Sequence, residues 1–228
     1  MTEQTRRLAE WVLVLGVAIL PGIFSSIYTF LTGRPLYNPE AFATLSVWGI
    51  FSELTALALL LYVLSRQGRT FTDLGVSFRW RDLFSAAILV ACGYIGYLAV
   101  YYAAYYAYHL VTGRVFSGSV GYVEHLRVKL TWWYGCYLAL NPCFEELIVR
   151  AYTISEVQAL TQSTAVAVMA SVALQSAYHL HYGWFGVVSL MPQFVIYSWY
   201  YARSGRIVPV IIAHLVFDVL GAVVYALP

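Results

Sequence analysis

Seven stretches of this chain stay apolar for long enough to cross a lipid bilayer, and that limits its fold more than any other feature. A membrane helix needs about 20 mostly apolar residues. On that rule spans are predicted at Leu8–Leu31, Phe42–Leu64, Leu83–Val111, Thr131–Tyr152, Thr164–Leu180, Trp184–Tyr201 and Ile207–Leu227. Composition agrees: 61% of residues are hydrophobic and only 11% charged, too few to cover a water-facing surface, where a soluble domain carries roughly 25% charged residues. Soluble enzyme, secreted disulfide scaffold and disordered chain are set aside. The expectation is an all-α, polytopic integral membrane helix bundle, one membrane domain over residues 1–228. It has seven helices, or eight if Arg114–Leu130 adds a short interfacial one. Leu83–Val111 is overlong for a single straight span, so it should tilt, break or extend beyond the lipid.

The arginines set the orientation, because cytoplasmic loops carry an excess of positive charge. With the N-terminus inside, eight basic residues fall on the cytoplasmic side: Arg6, Arg7, Arg66, Arg69, Arg79, Arg81, Arg203 and Arg206. Four fall outside, namely Arg34, Arg114, Arg127 and Lys129, and Arg150 lies within a helix. The expected location is the cell membrane with a cytoplasmic N-terminus. The net charge of +2 comes with no long basic run, so nucleic acid is not an expected partner. The three cysteines sit in apolar stretches without metal-type spacing.

The informative residues are ionisable groups inside spans, each costing about 2.5–3.5 kcal/mol at a helix centre on insertion scales. They are Glu53 in the second span, Glu145, Glu146 and Arg150 in the fourth, His179 at the end of the fifth, and His214 and Asp218 in the seventh. Three charges in one span require an offset. Glu146 and Arg150 are four residues apart and can pair on one helical face. Glu145 is turned by about 100° from Glu146 and must meet a different neighbour. His214–Asp218 and Gln175–His179 repeat the four-residue spacing, so three helices can present polar pairs to one water-holding site.

A carboxylate beside an imidazole can bind and deprotonate a water, which then attacks a carbonyl. A second imidazole with a hydrogen-bonding neighbour can stabilise the resulting oxyanion. That is peptide hydrolysis without a serine or cysteine nucleophile. The bland readings stand beside it. Glu146–Arg150 can be a structural ion pair, His179 a helix-end cap, and His214–Asp218 an interhelical clasp. Glu53 is left unassigned.

The run Glu145-Glu146-Leu147-Ile148-Val149-Arg150 resembles the EExxxR motif of the CAAX-processing and bacteriocin-processing (CPBP) intramembrane proteases, which include the type II CAAX prenyl endopeptidases and abortive-infection proteins. His214-Leu215-Val216-Phe217-Asp218 is similar to that family's histidine motif ending in Asn or Asp. The resemblance covers about residues 130–225, taken as the catalytic core, and upstream only the Leu74-Gly75 loop looks similar. Two departures stand out: Gln175 occupies the phenylalanine position of the family's Phe-x-x-x-His motif, and Val149-Arg150-Ala151 replaces Phe-Arg-Gly. His181 is a rival to His179, but the flanking Leu174 and Leu180 favour His179.

What the resemblance implies is a glutamate-dependent, metal-independent endopeptidase with no cofactor. Glu145 would activate the water with help from His179, His214 and Asp218 would form the oxyanion site, and Glu146 with Arg150 would support them. The partners implied are the bilayer and a membrane-associated peptide or protein, such as a prenylated C-terminus, a peptide precursor or a C-terminal anchor. Three other readings compete. One is a zinc-dependent membrane peptidase using His179, His214 and a carboxylate; the others are a proton-coupled transporter and a non-enzymatic immunity or scaffold protein.

Overall fold

The computed structural model describes residues 2–34, 42–114 and 131–226. Among these residues the chain is helical, without strands. The expected interfacial helix within Arg114–Leu130 lies almost wholly outside them.

Helix α1 (Glu3–Ala18) opens at Thr2, whose hydroxyl accepts from the Thr5 amide at 3.2 Å. The first predicted span is not one straight helix. It breaks at Ile19 into α1 and α2 (Leu20–Thr32), bent by 51°. Pro21 explains the break, since it has no amide hydrogen and its ring collides with the carbonyl four residues back. Helix α3 (Phe42–Arg66) runs unbroken, and a 3-10 turn (Phe71–Leu74) leads into α4 (Arg81–Thr112). Of the outcomes left open for the overlong third span, the structure takes the unbroken one. Its 32 residues extend for about 48 Å at 1.5 Å each, well beyond a hydrocarbon core of about 30 Å.

By length and composition, α3 over Thr44–Arg66 and α4 can cross a membrane, and the bent pair α1–α2 makes a third if it is one span. Only 28% and 17% of the apolar windows of α3 and α4 are buried inside the protein. Many of their side chains, including Trp48, Phe51, Phe84 and Ile95, face outward. Apolar surface on that scale has no place in water; together with the apolar helices it marks a membrane protein. The other predicted spans fall on α5 (Trp132–Glu145), α7 (Thr164–Tyr178), α8 (Gly183–Ser204) and α9 (Val208–Ala226), of which α7 and the Val208–Val223 part of α9 are shorter apolar helices.

The fourth predicted span contains the central irregularity. Helix α5 carries Pro142, and from Glu146 to Tyr152 the backbone widens into a π-helical turn before α6 (Thr153–Thr161). Proline supplies no amide to the carbonyl four residues back, so regular α-helical bonding is already interrupted there. The Thr153 hydroxyl reaches five residues back to the Ile148 carbonyl at 2.9 Å and closes the wide turn. All seven residues of the turn are buried, so the polar EExxxR segment lies at the centre of the core. Around it α3 packs on α5, α5 on α9, α7 between α6 and α8, and α4 along α8 and α9.

Candidate active site

The side chains of the π-helical turn point to different helices. Glu146 pairs with Arg150 within the turn, and its Oε1 meets His214 Nδ1 of α9 at 2.7 Å. The other imidazole nitrogen, Nε2, lies 3.4 Å from Asp218 Oδ1. His214 thus has a carboxylate at each ring nitrogen, which fixes the plane and rotation of the ring. Arg150 is 1% exposed and has further partners on α8: Nε donates to Ser198 Oγ at 3.1 Å, and the guanidinium lies 5.6 Å from the Tyr197 ring centre. Ser198 stands 3.3 Å from Ser171 Oγ, which donates to the Val149 carbonyl at 2.9 Å. A buried cation of this kind needs partners; α8 provides them beside Glu146, and Ser171 of α7 braces Ser198.

Glu145 turns the other way, as its 100° offset requires. Its Oε2 accepts from the Gln175 side-chain amide of α7 at 2.6 Å. The Asn141 amide, one turn earlier in α5, lies beside the same carboxylate, and His214 and Asp218 are its charged neighbours. His179 caps α7, with Nδ1 2.9 Å from the Gln175 carbonyl oxygen. A carbonyl only accepts, so Nδ1 carries the proton and Nε2 is left as an acceptor. His214, Asp218 and Arg150 lie within electrostatic reach of the ring.

The structure therefore brings all four candidates, Glu145, His179, His214 and Asp218, into one polar cluster. Glu145 is held by Gln175 and faces Asn141; it makes no direct hydrogen bond with His179. Glu146 does more than balance Arg150, because it also orients His214. The rival His181 is occupied elsewhere, its Nδ1 2.7 Å from Ser26 Oγ of α2 and 3.2 Å from the Tyr178 carbonyl.

Three groups in the cluster carry no role in the sequence reading. Asn141 donates to Glu53 Oε1 at 2.8 Å, which joins the unassigned glutamate of α3 to the site. The signal for Asn141 was its position one turn before Glu145. Ser198 and Ser171 left none, since small hydroxyl residues are common in membrane helices. For zinc chemistry, three donors must converge on one point. Among the described residues no three His, Cys, Asp or Glu side chains stand in that arrangement.

Comparison with known proteins adds the family. Residues 127–220 match the family model for type II CAAX prenyl endopeptidase Rce1-like proteins. This stretch is similar to an Rce1-like domain. The matched segment takes in α5, the π-helical turn, α6, α7, α8 and most of α9, and so every one of the four candidates. The family is one of membrane endopeptidases that act on CAAX-type substrates. No curated protein and no solved structure matches the chain significantly.

Proposed function

We propose that this chain is a glutamate-dependent, metal-independent intramembrane endopeptidase, a multi-pass protein of seven spans with its N-terminus in the cytoplasm. The observation that carries the reading is the pair of oppositely directed glutamates inside an Rce1-like domain. Glu145 stands among amides and imidazoles, while Glu146 and Arg150 brace His214 from behind.

In the proposed reaction a water held between Glu145 and His179 loses a proton as its oxygen attacks the scissile carbonyl carbon. Glu145 and the free Nε2 of His179 are the acceptors for that proton. Negative charge develops on the carbonyl oxygen and is met by His214, whose orientation Glu146 and Asp218 fix. The proton then passes to the departing amide nitrogen, the C–N bond breaks, and the remaining proton of the added water moves to the freed amine, so that a carboxylate and an ammonium group leave. Preorganised donors of this kind are commonly worth about 10²–10³ in kcat when one is removed.

The substrate is the end of a membrane-held peptide or protein, since it must reach a site within the helix bundle. A prenylated CAAX-type C-terminus is the first to test, ahead of unprenylated peptide precursors and C-terminal anchors. The purified protein in lipid vesicles should release a C-terminal fragment of such a peptide, read by mass spectrometry, and should do so in the presence of a strong zinc chelator. Loss of cleavage on chelation, restored by added zinc, would contradict the mechanism.

A further inference from the structure

Helix α3 lies outside the matched domain, yet it sends one ionisable side chain into the site. Glu53 sits near the middle of a helix whose other faces are apolar and largely outward, and it is 4% exposed. A carboxyl at that depth costs about 2.5–3.5 kcal/mol on insertion scales, so α3 must gain something by keeping it. Glu53 Oε1 accepts from Asn141 Nδ2 at 2.8 Å, and Tyr137 Oη stands 3.5 Å from the same nitrogen. Its charged neighbours are Glu145 and Asp218. Its Oε2 is buried and has no hydrogen-bond partner among the described residues.

The approach of the two helices fixes this contact. One turn before Glu53, Gly49 faces the Tyr137 ring, and a Cβ at Gly49 would fall 2.7 Å from Tyr137 Cε2. Tyr137 is in turn one turn before Asn141. Glycine at 49 lets α3 and α5 close together, as small residues do in membrane helix pairs, and the next turn then sets the Glu53 carboxyl against the Asn141 amide. That amide lies beside Glu145. With Gln175 on the far side, the order across three helices is Glu53, Asn141, Glu145, Gln175.

We infer that Glu53 is a positioning residue of the site: by accepting from Asn141 it locks that amide, and through it the rotation of the Glu145 carboxylate. The inference rests on the peptidase reading of Glu145. An amide without an acceptor at Glu53 can turn, and Glu145 then loses one of the two groups that aim it. Misplacement of a reacting group by about 1 Å can cost on the order of 10²-fold in rate.

The test uses the full chain in lipid vesicles with E53L, E53Q, N141L, the E53L/N141L double variant and E145Q, each checked for thermal unfolding. E53L and N141L should each lower kcat by about ten- to hundredfold with KM little changed. The double variant should be no worse than either alone, as for groups acting through one link. E53Q keeps an accepting oxygen and should restore most of kcat. In parallel, the infrared carboxyl band of Glu145, assigned by its disappearance in E145Q, should move in E53L and N141L and stay put in E53Q.

Wild-type kcat in folded E53L or N141L, with E145Q inactive, overturns the inference and leaves the peptidase reading standing. Additive losses in the double variant, or an E53Q as impaired as E53L, also overturn it. If E53L does not fold, N141L breaks the same link from the other side. A wild-type protein that cleaves nothing removes the peptidase reading instead. The infrared band then decides the inference alone, an unmoved band in E53L and N141L overturning it.

Discussion

At the residue scale, Arg150 and its partners form the most demanding arrangement. Removing one member of a buried ion pair leaves an uncompensated charge and costs about 3–5 kcal/mol. E146Q and R150L should therefore lower the unfolding temperature sharply, and R150L should yield little folded protein in detergent; unchanged melting in both would show that the pair carries no structural load. S198A removes a hydrogen bond to a charged group, worth about 1.5–3 kcal/mol, and should fall between these variants and wild type in the same melts. Much of the site was legible at this scale, since Glu145, Glu146, Arg150, His179, His214 and Asp218 are ionisable groups where lipid was expected. Gln175 was visible only as a departure from the family pattern. Its position against Glu145 gives the departure a physical sense, because an amide at 2.6 Å supplies a donor that a phenylalanine lacks. Glu53 was conspicuous as a charge in a span, but its partner lies 88 residues away in sequence, and spacing cannot report a contact between helices.

At the element scale, two irregularities shape the site and its surroundings. The 51° bend between α1 and α2 had a visible cause in Pro21, yet apolar length alone joined the two helices into one span. The π-helical turn was not legible, because Glu146 and Arg150 share a face in either helix type. The turn sets how Arg150 and α6 are rotated against α5, so deleting Ala151 from it should misplace the Glu146–Arg150 pair and abolish cleavage. Retained activity in a folded deletion variant would detach the turn from function. The link between α3 and α4 holds a smaller device. The Asp73 carboxyl accepts from the Thr70 amide at 2.6 Å and its hydroxyl at 3.0 Å, and these bonds hold it below the ordinary carboxylate range. A lowered folded value means stability that is present above the unfolded pKa and is lost as pH falls through the folded one. Protection from amide exchange over residues 69–76, taken relative to the intrinsic rate at each pH, should accordingly fall in that acid window in wild type. In D73N it should be lowered at all pH values, with no further change across the window. A second clasp joins the start of α4 to the α8–α9 link, where Asp82 takes two nitrogens of Arg206 at 2.6–3.0 Å. Close by, a Cβ at Gly75 would collide with the Gly205 carbonyl, and Gly75 has φ 86°, a backbone conformation that glycine tolerates and bulkier residues resist.

At the scale of the whole molecule, apolar length identified the class, and the outward-facing side chains of α3 and α4 agree with it. It did not resolve how many helices cross. Helix α5 carries Asn141, Pro142 and Glu145 near its end and gives way to the π-helical turn, so apolar length is a weaker guide there than in α3 and α4. The proposed topology has a direct check: single cysteines introduced at Gln67 and Ser204 in a cysteine-free background should react with an impermeant thiol reagent only from the cytoplasmic side. Labelling of either site from outside would reverse the orientation. The central claim concerns Glu145, and the most direct measurement compares wild type and E145Q on a prenylated, membrane-held peptide in vesicles. Glutamine keeps the size and can still accept from Gln175, but it cannot take a proton from water at neutral pH. Cleavage should disappear in E145Q while the melting temperature stays within a few degrees of wild type. Cleavage at the wild-type rate in E145Q would contradict the account.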